Sequence, residues 1–283
     1  MEHQSIPKVK IREKLKLDFV VPDSRLDKYQ YPRRFDSVGF FFIVSGQIDI
    51  WIDLVRYQVG KGDIVMVLPR TIIHMKDYSD DFSGYFIVFS PEIIRNIDLY
   101  KKGFPYREMI SKNPVFTLSK EGAHLFSDYC RIFHETYLRL ADIPDDEILE
   151  FMLMTLLYGV LTAYKRNISA RERNKYSRKE EIYRSLLRQI MDHYEKERSV
   201  SFYADKLCVT PKHLSAVVRE VSGKSVSGLI ADAVILDAKS QLKNSTNTIE
   251  KISRSLGFPD PSFFGKYFKR VVGMSPKQYR DNN

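Results

Sequence analysis

The segment Thr248–Arg280 constrains the fold of this chain more than any other stretch. Apolar residues recur at the spacing of one helical face from Ile249 to Leu256, and Gly257 follows, where a residue without Cβ can take positive φ. Asp260 and Pro261 then form an N-cap and first-turn pair of the kind that begins a helix. The segment is therefore predicted to fold as a short helix, a tight turn and a second helix.

The second helix of this segment is predicted to be amphipathic. Phe264, Phe268 and Val271 repeat at three- and four-residue spacing on one face. Gly273 is placed to end the helix, and Ser275 with Gln278 has the form of a capping box for a third, shorter helix. A basic, polar strip at the pitch of a DNA groove occupies the opposite face. The candidate DNA-contacting residues on this strip are Ser262, Lys266, Lys269 and Arg270.

The order of glycines, aromatic residues and caps in this segment is specific. The letters GF, five residues, F, three residues, F, then GMSP and YR follow one another between Gly257 and Arg280. This order resembles the C-terminal signature of the AraC/XylS family of bacterial transcription regulators. The resemblance implies a cytoplasmic, DNA-binding transcription regulator with two helix-turn-helix motifs and no catalytic activity, and it makes RNA polymerase a candidate partner.

A second copy of the motif precedes the first. Val200–Ser225 repeats Ile249–Ser275 when one residue is allowed for in the turn. The apolar face from Val226 to Leu242 predicts a long helix between the copies; if it holds two recognition helices about 34 Å apart, they enter successive major grooves of DNA. Ala216 stands where many members of the family carry a base-reading arginine. The candidate DNA contacts in this copy are Lys212, Ser215 and Arg219.

The distribution of charge agrees with a polyanionic partner at the C-terminal end. The chain has 45 Lys and Arg against 36 Asp and Glu residues, a net charge of +9. Residues 176–283 hold 19 basic and 12 acidic residues, a net charge of +7, while residues 1–175 hold 26 and 24, a net charge of +2. The basic excess lies with the helix-turn-helix motifs, and double-stranded DNA is therefore the predicted partner.

The N-terminal half has the pattern of a small antiparallel β-barrel. From Val38 onward, short apolar or alternating runs such as Ile48–Leu54 are separated by turn sequences such as Gly60–Asp63. The segment Gly62–His74 resembles the second motif of cupins, small jelly-roll barrels that commonly form the sensor domain of arabinose-type regulators. The predicted fold is α+β: a cupin-like barrel with dimerisation helices (1–165), a basic linker (166–181) and an all-α domain with two helix-turn-helix motifs (182–283).

The barrel is also a candidate site for a small-molecule effector, an expectation that comes from the resemblance. A catalytic cupin holds its metal with several histidines and a glutamate, but residues 39–53, where a histidine pair would lie, contain none. No cofactor and no metal site are therefore predicted. A metal-dependent cupin enzyme with an appended helical domain and a ligand-independent DNA-binding protein are the alternatives. The candidate effector pocket consists of Phe40, Phe42, Trp51, His74 and Tyr85.

Two longer helices are predicted after the barrel. Apolar residues from Ala123 to Leu140 step by three and four, and Ile148–Tyr164 is apolar almost all round. Because such a helix needs partners on more than one side, we expect a homodimer through residues 121–164, with burial inside one chain as the alternative. The uncharged run 151–164 would be about 21 Å long as a helix, so no membrane span is expected.

The cysteines and the N-terminus indicate a reducing compartment. Cys130 and Cys208 have neither the spacing of a zinc site nor that of a redox pair, and both are expected to be buried thiols. The N-terminus has no apolar stretch of signal-peptide length, so export is not expected. The predicted location is the cytoplasm.

Overall fold

The computed structural model describes residues 11–21, 30–95, 109–140, 147–171 and 177–282. In its N-terminal part, antiparallel strands form two sheets that pack face to face. The larger sheet has the strand order β1 (Leu15–Val20), β8 (Ser83–Phe89), β3 (Val38–Ser45), β6 (Asp63–Val67) and β9 (Val115–Thr117). The smaller sheet has the order β2 (Arg33–Arg34), β7 (Ile72–Tyr78), β4 (Gln47–Ile52) and β5 (Val55–Gly60).

These sheets do not close into the single barrel that the sequence led us to expect. Among the described strands, β1 and β9 at the edges of the larger sheet form no ladder with β2 or β5 of the smaller one. The edge strands β2 and β9 have only 2 and 3 residues, too few to continue a ladder from one sheet to the other. The strand part is therefore an open sandwich, while the α+β class of the chain is confirmed.

The space between the sheets is filled by apolar side chains from both. Alternation along β4 sends Ile48, Ile50 and Ile52 inward, where each is 7% exposed or less. They meet the inner face of the larger sheet, where the rings of Phe41 and Phe86 stack with centroids 4.5 Å apart. The interior of the sandwich is thus a packed core.

Helices cover the outer face of the larger sheet. Helices α1 (Ile11–Lys14) and α2 (Pro91–Arg95) are short and lie next to β1 and β8 in the chain. Helix α3 (Lys120–Arg139) begins at the N-cap Ser119, and its Cys130 and Phe133 are fully buried. Helix α4 (Glu147–Arg171) adds a row of buried apolar side chains to the same cluster. These are Leu149, Leu153, Leu156, Leu157, Val160 and Tyr164.

The length of α4 differs from the prediction. The helix continues to Arg171, so residues 166–171 of the predicted linker are helical, and residues 172–176 lie outside the described part. The segment Glu147–Asn167 is the one described helix that is long and apolar enough to cross a membrane. The buried row of α4 nevertheless packs on the larger sheet, which is the partner that its apolar composition required.

Residues 177–282 are helical throughout their regular structure, as predicted. Two longer helices, α5 and α8, frame two pairs of shorter ones and a final helix, α11. The bounds are α5 (Arg178–His193), α6 (Val200–Lys206), α7 (Pro211–Ser222), α8 (Val226–Asn244), α9 (Ile249–Ser255), α10 (Pro261–Val272) and α11 (Pro276–Asp281). Their apolar faces meet in one core, which contains Leu186, Leu214, Ala233, Ile252 and Phe264, each 0% exposed.

The two parts of the chain meet at α8. The main-chain N–H of Arg34 donates to Ser240 Oγ at 2.9 Å, and Asn244 Nδ2 donates to the carbonyl oxygen of Pro32 at 2.9 Å. Lys243 Nζ lies 4.6 Å from the ring centroid of Tyr31, a cation–π distance. The short segment Tyr31–Arg34 therefore lies along the last turns of α8.

A buried charge network lies at the centre of this contact. The Arg34 guanidinium donates to Tyr194 Oη, to Asp237 Oδ2 at 3.0 Å and to Glu195 Oε1 at 3.2 Å. Tyr194 Oη in turn donates to Asp237 Oδ2 at 2.8 Å. Asp237 is 0% exposed, and burial raises the pKa of its carboxyl although Arg34 opposes the shift. Arg34 is thus the counter-ion of an acidic residue in the middle of α8.

Candidate nucleic-acid interface

Two helix-turn-helix modules occupy the C-terminal part. Module 1 is Val200–Ser222, formed by α6 and α7, and module 2 is Ile249–Val272, formed by α9 and α10. Each second helix has 12 residues, begins with a proline and is followed by a left-handed glycine, Gly223 (φ 70°) or Gly273 (φ 87°). The repeat that the sequence indicated is therefore a repeat of structure, and α8 connects its two copies.

The local signals that begin these helices act as predicted. Thr210 Oγ1 accepts a hydrogen bond from the N–H of His213, and Asp260 Oδ1 accepts from the N–H groups of Ser262 and Phe263 at 2.8 and 2.9 Å. These caps satisfy donors that the first turn of a helix leaves without intrahelical partners. The start of each second helix, and with it the direction of its first side chains, is fixed by its own sequence.

The tight turns differ in chemistry but share a left-handed residue. Gly257 has φ 70° in module 2, and Cys208 has φ 54° in module 1. Cys208 is exposed, so the expectation that both cysteines are buried is wrong for this one. A turn between two short helices leaves this side chain pointing away from the core, whereas Cys130 lies between α3 and the larger sheet and is buried.

All seven candidate DNA-contacting residues are exposed. Lys212, Ser215 and Arg219 recur at three- and four-residue spacing on α7, opposite the buried Leu214 and Val218. On α10 the buried residues are Phe264 and Phe268, and the candidates occupy the other side. These α10 candidates are Ser262, Lys266, Lys269 and Arg270. Within the described residues, none of the five cations forms an ion pair with a carboxylate.

The two faces carry different charge. Lys266 and Arg270 of α10 correspond to Ala216 and Glu220 of α7. The carboxylate of Glu220 accepts hydrogen bonds from Lys179 Nζ at 2.6 and 2.7 Å. Module 1 thus has a paired acidic residue at the position where module 2 has an arginine. Module 2 therefore presents the stronger positive field of the two.

Two further residues of this region were not singled out by the sequence. Phe263 is 64% exposed, next to the fully buried Phe264. Arg198 donates to the carbonyl oxygen of Leu256 at 2.6 Å, and its guanidinium lies 4.1 Å from the ring centroid of Phe258. Arg198 precedes module 1 yet supports the turn of module 2. Its role depends on contacts 58 residues away along the chain, which periodicity does not reveal.

Comparison with known proteins agrees with this architecture. A family model described as a helix-turn-helix domain matches residues 203–282, which hold most of both modules. The Msm operon regulatory protein of Streptococcus mutans is 24% identical over 252 residues, which cover 87% of this chain and 84% of that protein. The C-terminal domain is therefore a helix-turn-helix domain of the AraC/XylS type. The chain is accordingly a DNA-binding transcription regulator.

Further relatives and solved structures are similar to this chain. The raffinose operon transcriptional regulatory protein RafR of Pediococcus pentosaceus is 22% identical over 224 residues, covering 78% of this chain and 76% of that protein. The C-terminal domain of AraT from Geobacillus stearothermophilus is 28% identical, covers 37% of this chain and 87% of that one, and has a TM-score of 0.35. ToxT from Vibrio cholerae is 15% identical over 94% of this chain and 98% of that one, with a TM-score of 0.40.

The candidate effector residues of this regulator fall into two separate groups. Phe40, Phe42 and Tyr85 lie on the outer face of the larger sheet, under α3, and are 7% exposed or less. Trp51 and His74 neighbour each other on the smaller sheet, with ring centroids 5.4 Å apart. The structure therefore does not bring the five side chains into one pocket.

Each group has its own surroundings. In the first group, the ring of Phe42 lies 5.0 Å from that of Phe126, and the ring of Tyr85 lies 6.1 Å from that of His134. In the second, burial lowers the pKa of His74, and the nearby positive charge of Lys76 lowers it further. Within the described residues, no three His, Cys, Asp or Glu side chains form a group that could hold a metal ion.

Proposed function

We propose that this regulator binds DNA with both modules, and that α7 and α10 each enter a major groove. The observation that supports this most is the attachment of both recognition helices, with their polar faces exposed, to the single helix α8. A helix-turn-helix protein places the N-terminal residues of its second helix against base edges. One chain then offers two readers of DNA, and their separation of about 34 Å stays a prediction.

In this proposal some of the seven candidate residues read bases and the others bind phosphates. Lys212, near the start of α7, and Lys266, in the middle of α10, read base edges or the nearest phosphates, with Ser215 and Ser262 on the same faces. Arg219, Lys269 and Arg270 bind phosphates farther along the groove and make binding depend on salt. Because Ala216 replaces a long cation in module 1, we propose that module 2 supplies more of the sequence readout.

The test is to compare alanine variants of the full chain on duplexes that the wild-type protein selects from a random library. If Lys266 reads a base, Lys266→Ala should cost about 1 to 3 kcal/mol in specific binding. If it meets only phosphate, the slope of log affinity against log salt should become shallower by roughly one. Lys251→Ala, an exposed lysine on α9, is the matched control. An unchanged affinity and slope would remove Lys266 from the interface.

We also propose that the regulator forms a homodimer through α4. Opposite its buried row, α4 has an exposed strip on which Ile148, Phe151 and Tyr158 are 46%, 71% and 46% exposed. The strip continues through Thr155, Gly159 and Thr162 and has no charged residue between Phe151 and Tyr164. Exposed apolar strips of this length commonly mark protein interfaces. The same strip on a second copy would cover it.

Gly159 gives a clean test of this dimer. A Cβ at Gly159 would meet nothing within 4 Å, so a larger residue fits in one chain, but an arginine would block a second helix from approaching. Gly159→Arg should convert a dimer into a monomer in sedimentation equilibrium, and the monomer should keep its helical circular dichroism signal because arginine favours helix over glycine. Glu150→Arg, exposed on another side of α4, should leave the assembly unchanged. A wild-type protein that is monomeric at all concentrations would refute the proposal.

Regulation by a small effector is the third part of the proposal. The proposed site is the contact between α3 and the larger sheet, where the candidate residues Phe42 and Tyr85 face Phe126 and His134. Since RafR is named for the raffinose operon, raffinose is a reasonable first probe. A ligand at 100 times its dissociation constant should stabilise the protein by about 2.7 kcal/mol, visible as a rise in the thermal midpoint. The absence of any shift with raffinose and related sugars would exclude that class of effector.

RNA polymerase completes the proposed set of partners. We propose it as a partner because the resemblance to AraC/XylS regulators implies action at promoters. Transcription in vitro from a bound promoter, with and without the regulator, distinguishes activation from repression.

A further inference from the structure

Phe263 occupies an unusual place on the recognition helix of module 2. It is the third residue of α10 and is 64% exposed, while its neighbour Phe264 is 0% exposed. Asp260 Oδ1 accepts a hydrogen bond from the N–H of Phe263 at 2.9 Å, which fixes the backbone from which the ring projects. Singly exposed apolar residues are common on protein surfaces, but Phe263 lies near the start of the recognition helix, on the face that the proposed function places in the major groove.

The surroundings of Phe263 indicate what kind of partner this is. At helical spacing, Lys266 and Arg270 lie three and seven residues beyond Phe263 on the same side of α10, and both are exposed. Ser262 is exposed beside it. An apolar ring among cations fits a surface that offers negative charge together with a local apolar group. The major groove of DNA is such a surface, because phosphates flank it and each thymine presents a C5-methyl group.

We propose that Phe263 contacts the methyl group of a thymine and so determines sequence specificity in the half-site that module 2 binds. This inference rests on the proposed entry of α10 into the major groove. In module 1 the equivalent residue is His213, which is exposed and polar. The preference for thymine should therefore belong to one half-site, and the complete site should be asymmetric.

The experiment starts with selection of duplexes from a random library by the full-length wild-type protein and by Phe263→Ala. Val271→Ala is the matched control, because Val271 is a 44% exposed apolar residue near the other end of the same helix. Wild type and Val271→Ala should select the same sequence. Phe263→Ala should select a sequence that differs at one thymine position of one half-site, where the preference is lost.

A second measurement identifies the methyl group itself. Each thymine of the selected site is replaced in turn by deoxyuridine, which lacks only the C5-methyl group. With the wild-type protein, one replacement should weaken binding about fourfold, the ratio that corresponds to burying one methyl group. With Phe263→Ala the same replacement should have no effect, because the ring that contacts the methyl group is gone.

Three results would overturn the inference, and one result concerns the proposed function instead. The inference is wrong if Phe263→Ala selects the wild-type sequence, if it weakens all sequences equally, or if no deoxyuridine replacement distinguishes it from wild type. A Phe263→His variant guards against misfolding, since it matches the residue of module 1; it too should lose the thymine preference. If the wild-type protein selects no sequence at all, the failure lies with the proposed DNA reading by both modules.

Discussion

Modules 1 and 2 are alike where the fold constrains them and different where it does not. Both have a first helix of 7 residues, a turn with a left-handed residue and a second helix of 12 residues that begins with proline. Their exposed faces differ at nearly every position, as Ala216 against Lys266 and Glu220 against Arg270 show. A duplicated scaffold can thus keep its geometry while its two readers acquire separate chemistry.

The comparison also shows how the modules are held. Both pack on α8, which belongs to neither, and Arg198 connects the start of module 1 to the turn of module 2. The buried Asp237 of α8 receives its counter-ion from Arg34 in the N-terminal part. The difference between the modules is therefore confined to their surfaces, and changes at the shared helix should affect both.

The largest expected effect comes from removing the counter-ion of Asp237 on α8, the helix on which both modules pack. Arg34→Ala removes the counter-ion of Asp237 and should lower the free energy of unfolding by about 2 to 4 kcal/mol, below the value of about 3 to 5 for fully buried pairs because Arg34 is partly accessible. Urea denaturation measures the change, and Arg33→Ala, exposed next to it, is the control.

The charge itself can be tested by a second substitution. Asp237→Asn in the Arg34→Ala background removes the uncompensated carboxylate and should recover part of the lost stability. Hydrogen exchange in Arg34→Ala should increase in both modules. Faster exchange in one module alone would show that α8 does not hold them equally.

The next prediction compares two left-handed glycines, Gly257 in the turn of module 2 and Gly223 at the end of α7. In Gly257→Ala the new Cβ would lie 2.1 Å from the carbonyl oxygen of Glu195, at φ 70°, so the backbone must shift. We expect a loss of about 2 to 3 kcal/mol in the free energy of unfolding, from the left-handed conformation together with the overlap. Gly223→Ala has the same φ of 70° but open space around its Cβ, and should cost about 1 kcal/mol. Equal losses in the two variants would show that the contact with Glu195 does not matter.

A charge exchange tests whether the carboxylate of Glu220 limits the DNA affinity that we propose for module 1. Glu220→Arg gives module 1 the residue type that module 2 has at Arg270. Affinity for DNA should rise up to about tenfold, roughly 1.4 kcal/mol, and the salt slope should steepen by about one. Glu250→Arg makes the same charge change at an exposed ion pair on α9 and should do less. If both variants gain the same DNA affinity, the effect comes only from the net charge of the chain.

The sequence predicted those features of the modules that depend on neighbouring residues. Asp260 with Pro261, and Ser275 with Gln278, act within one turn, and the structure shows the caps that they predict. The strands of the sandwich were predicted for the same reason, because alternation in β4 is a property of consecutive residues.

The features that the sequence did not predict depend on distant contacts. The sequence has two adjacent phenylalanines and does not show which of them is buried. Only the packing of α10 shows that Phe263 is exposed. Arg34 finds Tyr194 and Asp237 more than 150 residues away. Whether sheets close into a barrel is decided at their edges, where β2 and β9 are too short to carry any pattern.

The smallest effect concerns the left-handed position of the turn, where module 1 has Cys208 and module 2 has Gly257. Cys208 takes φ 54°, a conformation that costs a residue with a Cβ about 1 kcal/mol, whereas Gly257 takes its equivalent without strain. Cys208→Gly removes this strain but adds freedom to the unfolded chain, which costs about 0.5 to 1 kcal/mol. The net gain in the free energy of unfolding should be about 0.5 kcal/mol at most, measured by urea denaturation under reducing conditions. Cys208→Ala keeps the Cβ and should leave stability unchanged. A clear loss in Cys208→Gly would mean that the exposed thiol makes a stabilising contact, and the two turns would then differ in function as well as in strain.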